Sequence, residues 1–335
     1  MHVTPLVWII TCVVVLGLFV FDFYSHVKTP HAPSLREAGT WSAVYVALAV
    51  VFGLGVWWVS GGTYAGEFFA GYVTEKSLSV DNLFVFIIIM SKFAVPREYQ
   101  QKVLLLGIVI ALVLRGLFIA AGSAAISAYS WVFYLFGLFL VLTAIKLIKD
   151  AVEEAKSKDA DGDPAESAEG GRLAALIRKI LPTTDEYDGD KLITRVDGKR
   201  MVTPMLMALV VIGLTDVLFA LDSIPAIFGL TQEPYLVFMA NALALMGLRQ
   251  LYFLVGGLLD RLVYLSYGLS LVLAFIGVKL VLHALHENTL GFINSGEPVA
   301  VPEISTGLSL VVIGGTLVVT TIASLLRSRS VARKV

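Results

Sequence analysis

Nine long apolar runs constrain this chain more than any other feature of its sequence. Each is close to the roughly 20 mostly apolar residues that an α-helix needs to cross a bilayer. Charged residues make up 15% of the 335 positions, whereas soluble domains have about 25%. We therefore expect an all-α membrane protein with about nine transmembrane helices. The runs lie at Pro5–Tyr24, Trp41–Ser60, Tyr72–Met90, Lys102–Gly122, Tyr129–Ile148, Pro204–Phe228, Tyr235–Leu258, Leu262–His283 and Leu308–Leu326.

The lysine and arginine residues of the loops are confined to alternate connections. They follow the first, third, fifth, seventh and ninth runs, whereas residues 61–71, 123–128, 231–234 and 287–307 contain none. Cytoplasmic loops of membrane proteins are enriched in lysine and arginine. The pattern therefore predicts an N-terminus outside the cytoplasm and a C-terminus inside it.

The longest connection, at 149–203, is polar and is expected in the cytoplasm. Residues 153–171 are rich in Lys, Asp, Glu, Gly and Ala, which predicts a flexible linker. Residues 172–181 alternate basic and apolar side chains in a way typical of an amphipathic helix on a bilayer surface. An Asp-Gly pair between two short β-prone runs in residues 191–202 predicts a hairpin.

Charged residues of the third to fifth runs recur in the sixth to eighth, which indicates an internal repeat. The recurring pairs are Glu75 with Asp216, Asp81 with Asp222, Arg115 with Arg249, and Lys146 with Lys279. Each unit has three runs, an odd number, so the second unit must be inverted relative to the first. Inverted repeats are the architecture of many secondary transporters, whose substrate site lies between the repeats.

The repeat divides the chain into five parts. They are two N-terminal transmembrane helices (1–71), the first three-helix repeat (72–148), the cytoplasmic loop (149–203), the inverted second repeat (204–284), and an extracytoplasmic loop with the ninth helix and a basic cytoplasmic tail (285–335).

Four acidic residues of the repeat fall inside apolar runs. An ionisable residue at mid-membrane costs about 2.5–3.5 kcal/mol on insertion scales, so it is retained where it faces a cavity or a partner. The four could also serve only as salt-bridge partners of Arg115 and Arg249, or hold protons. If all six groups are ionised, two negative charges remain, which one divalent cation would neutralise. The four acids are Glu75, Asp81, Asp216 and Asp222.

The spacing of these acids leaves two arrangements open. Residues six apart on an ideal helix point about 240° away from each other, so the helices are broken between the acids or the acids serve different sites. Pro225 favours a break in the sixth run, because it removes a backbone N–H and disturbs the carbonyl of Leu221. Carboxylate, carbonyl and hydroxyl oxygens suit magnesium, calcium and manganese alike.

The two acidic motifs resemble the two signatures of the TerC family of integral membrane proteins. The first motif is EKSLSVDN at 75–82, and the second is DVLFALDSIPAI at 216–227. The stretch GLRQLYF at 247–253 also resembles the family, especially its Alx-like branch. The resemblance implies export of Mn²⁺ across the bacterial cytoplasmic membrane, and we expect this export to be coupled to protons.

The resemblance also implies roles for individual residues. Relatives often carry glutamate where this chain has Gly213, so ion selectivity can differ here. We expect no permanent cofactor and no nucleic-acid partner; the partners are the cation and the lipid bilayer, and the oligomeric state stays open. The resemblance assigns metal binding to the four acids, Glu75, Asp81, Asp216 and Asp222. Supporting polar or charge-balancing roles are assigned to Asn82, Ser223, Asn241, Arg115 and Arg249.

A second class of function stays open at this stage. The protein could act in tellurite stress or membrane-protein assembly without moving ions itself, and residues 149–203 would then be its working surface. Enzymatic activity is not expected, because the sequence has no recognisable nucleophile–base pair and no phosphate-binding loop.

Overall fold

The structure, a computed structural model, describes most of the chain. The described residues are 1, 3–24, 33–129, 131–158, 182–184, 186–196, 199–255, 264–288, 290 and 293–332. The segment predicted as a linker is helical as far as Lys158. Its remainder, the predicted amphipathic segment and the Asp-Gly pair of the hairpin lie outside the described residues.

Long α-helices dominate the described chain, which confirms the predicted all-α membrane fold. The elements are α1 (Pro5–Asp22), α2 (Leu35–Ser60), α3 (Gly62–Lys92), α4 (Arg97–Ala128), α5 (Val132–Lys158), β1 (Ile193–Val196), β2 (Lys199–Val202), α6 (Pro204–Phe228), α7 (Pro234–Met246), α8 (Leu248–Val255), α9 (Leu265–His286) and α10 (Thr306–Ala332), with a 3₁₀ turn at Asn294–Gly296.

Eight helical segments of the described chain have the length and apolar composition of membrane spans, with α7 and α8 counted as one. The exception among the predicted runs is α3, because it carries Glu67, Glu75, Lys76 and Asp81. This helix still has 31 residues and packs against α2, α6, α7 and α10, so it lies at the centre of the bundle. The inverted relation between the two repeats and the orientation in the bilayer stay predictions.

Burial divides the helices into inner and outer ones. Every residue of α7 from Tyr235 to Met246 is buried except Phe238, and most of α6 is buried as well. By contrast, α1 and α10 expose large apolar side chains such as Leu6 and Val311. Exposed apolar faces of this kind suit contact with lipid tails, so α6 and α7 form the interior with α3.

Two glycines allow α5 and α9 to approach each other closely. A Cβ atom placed on Gly137 would lie 2.8 Å from the carbonyl oxygen of Gly277, and one placed on Gly277 would lie 2.9 Å from that of Gly137. Small residues at helix interfaces permit such backbone contact within membranes. This contact joins the last helix of the first repeat to the last helix of the second.

The predicted hairpin is confirmed, since β1 and β2 pair antiparallel. Lys102 of α4 binds the carboxylate of Asp190 at 2.5 Å and lowers the pKa of that carboxyl. The phenol of Tyr187 donates to the carbonyl of Phe93 at 2.6 Å, and its partial burial raises its pKa to about 12. These contacts fix the loop before the hairpin to the ends of α3 and α4.

The break predicted at Pro225 is absent from the structure. Helix α6 continues through Pro225 to Phe228, and the backbone N–H of Gly229 donates to the carbonyl of Pro225. Pro225 still removes one hydrogen bond to the carbonyl of Leu221, but α6 ends only three residues later. Helix α3 is also continuous across Glu75 and Asp81, so the acids within each helix point in different directions.

A helix break does occur in the second repeat, between α7 and α8 at Gly247. The ammonium group of Lys76 on α3 donates to the carbonyl oxygen of Ala244 at 2.9 Å. Carbonyls at the end of a helix have no partner within it, so Lys76 satisfies one that the break leaves free. Backbone groups at membrane depth need such partners.

Candidate functional site

Arg115 is the centre of a buried polar cluster between α3, α4, α6 and α7. Its side chain is 0% exposed. Its Nε donates to Oδ2 of Asp216 and its Nη2 donates to Oδ1 of the same carboxylate, both at 3.0 Å. Its Nη1 forms an ion pair with Oε1 of Glu75. Arg115 thus bridges one predicted acid from each repeat.

Two neutral side chains complete the contacts of this guanidinium. Nη1 of Arg115 lies 3.1 Å from Oδ1 of Asn241 and 3.3 Å from Oγ of Ser223. Both residues are buried. Five oxygen atoms from three helices therefore surround one cation, and we call them the oxygen cage. They are Oε1 of Glu75, Oδ1 and Oδ2 of Asp216, Oγ of Ser223 and Oδ1 of Asn241.

Two buried atoms at the cage have no hydrogen-bond partner in the described structure. They are Oε2 of Glu75 and Nδ2 of Asn241. A buried polar atom without a partner costs about 1–3 kcal/mol, and such atoms often mark a place for water or an ion. The cage thus retains free binding capacity beside Arg115.

The other predicted residues of α3 and α6 lie in different surroundings. Asp222 is half-buried and directly precedes Ser223, whose Oγ belongs to the oxygen cage. Asn82 is buried. The side chain of Asp81 lies outside the described structure, so its predicted role stays untested.

Arg249 lies in a second cluster, apart from these acids. Its Nη2 binds Oδ1 of Asp22 at 2.7 Å, and its Nη1 donates to Gln101 at 2.8 Å. The phenol of Tyr45 donates to the same Asp22 oxygen at 2.9 Å. Asp22 was not among the predicted site residues, although an isolated acid in the first apolar run indicates a buried partner.

The cage contains a guanidinium where a metal ion would have to lie. Among the described side chains, no three of His, Cys, Asp or Glu are grouped as metal ligands. The chemistry of the cage nevertheless suits a hard cation, because the five atoms that accept hydrogen bonds from Arg115 are carboxylate, hydroxyl and amide oxygens. Glu75 and Asp216 supply two negative charges if both are ionised.

Comparison with known proteins identifies the family. Residues 60–332 match the integral membrane protein TerC family. The chain belongs to the TerC family. The matched region begins at the end of α2 and includes every residue of the oxygen cage. This protein is therefore a multi-pass integral membrane protein with the TerC core.

Relatives from three bacteria match most of the chain. A Mycobacterium tuberculosis protein named "Uncharacterized membrane protein Rv2723" is 49% identical over 99% of this chain and 82% of its own length. "Uncharacterized membrane protein STKORF319" of Myxococcus xanthus is 39% identical over 97% and 94%. "Putative membrane-bound redox modulator Alx" of Escherichia coli is 36% identical over 83% and 86%. No solved structure matches the chain.

Proposed function

We propose that this TerC-family protein exports divalent cations, with Mn²⁺ as the main cargo, across the bacterial cytoplasmic membrane. The observation that carries the proposal is the convergence of five buried oxygen atoms on one cationic group. Buried oxygens that already surround a cation require little rearrangement to accept another.

The cage supports the class of ion, and the family resemblance supports the choice of manganese. Carboxylate, amide and hydroxyl oxygens favour hard cations such as Mg²⁺, Ca²⁺ and Mn²⁺ over copper(I) and zinc. Acids deep in a membrane protein are typical of ion pathways and proton relays. Export in exchange for protons would use the same carboxylates for both ions. In this proposal the protein is a transporter without enzymatic activity or a permanent cofactor.

The test is radioactive ⁵⁴Mn²⁺ efflux from manganese-sensitive cells that contain equal membrane levels of each variant. We expect Glu75→Gln and Asp216→Asn to reduce efflux to the level of cells without the protein. Asp190→Asn makes the same chemical change at a half-exposed position in the loop before the hairpin and should retain wild-type efflux. Wild-type cells with no efflux above empty cells would refute the proposal.

The Alx relatives suggest a competing function, because their name refers to redox modulation. This chain has a single cysteine, Cys12, so it cannot form a disulfide within itself. An effect on redox state or tellurite stress would then have to come from a partner or from the cell's metal content. Deletion of residues 159–171 separates the alternatives: it would abolish a partner-based function and leave efflux through the cage intact.

A further inference from the structure

The hydrogen-bonding pattern of the oxygen cage does not match a guanidinium well. Nη1 of Arg115 carries two hydrogens but faces three acceptors, Glu75, Ser223 and Asn241. Nη2 also carries two hydrogens, and among the described side chains it has one acceptor, Asp216. A guanidinium donates in a fixed planar fork, whereas a metal ion accepts oxygen ligands from several directions. Nη1 of Arg115 therefore has more acceptors than hydrogens, whereas Nη2 has more hydrogens than acceptors among the described side chains.

We infer that Arg115 is a built-in substitute for the transported cation, which leaves the cage when the cation binds. This inference rests on the proposed transport function. A guanidinium and a metal ion cannot occupy the centre of these five oxygens together, because two cations at this distance repel each other and the cage contains only two carboxylates to balance them. The two must alternate.

The atom Oε2 of Glu75 gives the incoming ion a first point of contact. It belongs to a carboxylate that already binds Arg115 through Oε1, and it has no hydrogen-bond partner of its own in the described structure. An ion that binds there can reach the remaining oxygens as Arg115 withdraws.

Asp222 is the acceptor for the displaced guanidinium. It lies on the same helix as Asp216 and directly precedes Ser223, whose Oγ lies 3.3 Å from Nη1 of Arg115, but no hydrogen bond joins Asp222 to Arg115 in the described structure. The three carboxylates Glu75, Asp216 and Asp222 with Arg115 have a net charge of −2 when all are ionised. One divalent cation in the cage neutralises this set while Arg115 pairs with Asp222.

The experiment measures Mn²⁺ binding to the purified full-length protein in detergent by equilibrium dialysis. Removal of a competing internal cation should tighten binding, so we expect Arg115→Gln to lower the Kd by about tenfold or more, a size typical of coupling between two ligands. Arg115→Lys retains the positive charge and should stay within about threefold of wild type. Arg200→Gln removes an exposed arginine of the hairpin and should leave the Kd unchanged.

An unchanged or weaker affinity in folded Arg115→Gln protein would overturn the inference. If that variant does not fold, infrared difference spectra of wild-type protein labelled with ¹³C at the arginine guanidino carbon provide the second test. Mn²⁺ should shift a guanidinium band, and the shift should be absent from Arg115→Lys. A spectrum without any shift, in protein that binds Mn²⁺, would also overturn it.

The two proposals fail in distinguishable ways. If wild-type protein neither binds nor exports Mn²⁺, the transport function itself is wrong. If Glu75→Gln exports Mn²⁺ normally, the protein is a transporter but the oxygen cage is not its cation site. If wild type binds and exports Mn²⁺ while Arg115→Gln binds it no more tightly, transport stands and only the displacement of Arg115 is wrong.

Discussion

Asp22 and Arg249 form a buried ion pair, with 2.7 Å between Oδ1 and Nη2, although 227 positions separate them in the sequence. The pair joins α1 to α8, and Tyr45 of α2 binds the same carboxylate. Because α1 lies outside the region that matches the TerC family, this contact joins a helix from outside the matched region to one within it.

Loss of the Asp22 carboxylate should destabilise the protein strongly. Asp22→Ala would leave Arg249 charged and buried, and the removal of one partner from a buried pair costs about 3–5 kcal/mol. We expect a lower unfolding temperature in detergent, measured by intrinsic tryptophan fluorescence. The double variant Asp22→Ala, Arg249→Met should recover part of the loss, because no buried charge remains. Equal unfolding temperatures for wild type and the single variant would show that the pair contributes little.

Asn241 should contribute to cation affinity through its amide oxygen. Asn241→Leu keeps a similar volume but removes Oδ1 from the oxygen cage, and one hydrogen bond or ligand of this kind is worth about 1.5 kcal/mol, or roughly tenfold in affinity. We expect the Mn²⁺ concentration for half-maximal efflux to rise accordingly in inside-out vesicles. Asn294→Leu, at an exposed position, serves as the control. A wild-type response from Asn241→Leu would exclude its amide from the site.

The α5–α9 contact should not tolerate a larger residue. Gly277→Leu would force the two helices apart, since even a Cβ atom there lies 2.9 Å from the backbone of Gly137, and overpacking typically costs about 1–3 kcal/mol. Gly314→Leu makes the same change on α10, where nothing lies within 4 Å. We expect a lower unfolding temperature and a lower yield of folded protein for Gly277→Leu than for wild type, and neither loss for Gly314→Leu. Similar losses in both variants would show that the α5–α9 contact is not the reason for them.

Tyr187 should make stability depend on pH in the alkaline range. Because its pKa in the folded protein is raised to about 12, from about 10 in unfolded chains, its contribution is complete below pH 10. The contribution is lost as the pH rises from 10 through 12, when the phenol ionises. Tyr187→Phe lacks the hydrogen bond to Phe93, so it should be less stable at pH 8 and should lose less stability between pH 10 and 12. The measurement is the free energy of unfolding of both proteins at several pH values. An equal loss of stability between pH 10 and 12 in the two proteins would contradict this prediction.

The sequence pattern predicted the helices well because each membrane helix is specified by its own apolar run. Both ends of α6 were predicted to the residue, and the proline at its first position explains its start. The extension of α3 back to Gly62 was missed, since Glu67 interrupts its apolar pattern. The hairpin was predictable from local turn chemistry, whereas its attachment through Lys102 and Asp190 depends on residues far apart in the chain.

The candidate site was predictable in its residue types and only partly in its pairing. Intramembrane charge identified Glu75, Asp216 and Arg115, which the structure brings together. The four acids of the repeat were considered as salt-bridge partners of both Arg115 and Arg249, but Arg249 pairs with Asp22 from a helix outside the repeat. Sequence similarity between repeats cannot reveal a partner that only one of them has. The position of the helix break also depended on tertiary contacts, in particular that of Lys76 with Ala244.

Glu75 and Lys76 are adjacent in α3, yet their side chains contact two different helices. Glu75 binds Arg115 of α4, and Lys76 binds the carbonyl of Ala244 where α7 ends. Because adjacent residues of a rigid helix turn together, α3 cannot rotate to release Arg115 without also pulling on the end of α7. A rotation of α3 that separated Glu75 from Arg115 would therefore also withdraw Lys76 from the helix end at Gly247, and would couple the charge at the centre of the bundle to the break between α7 and α8.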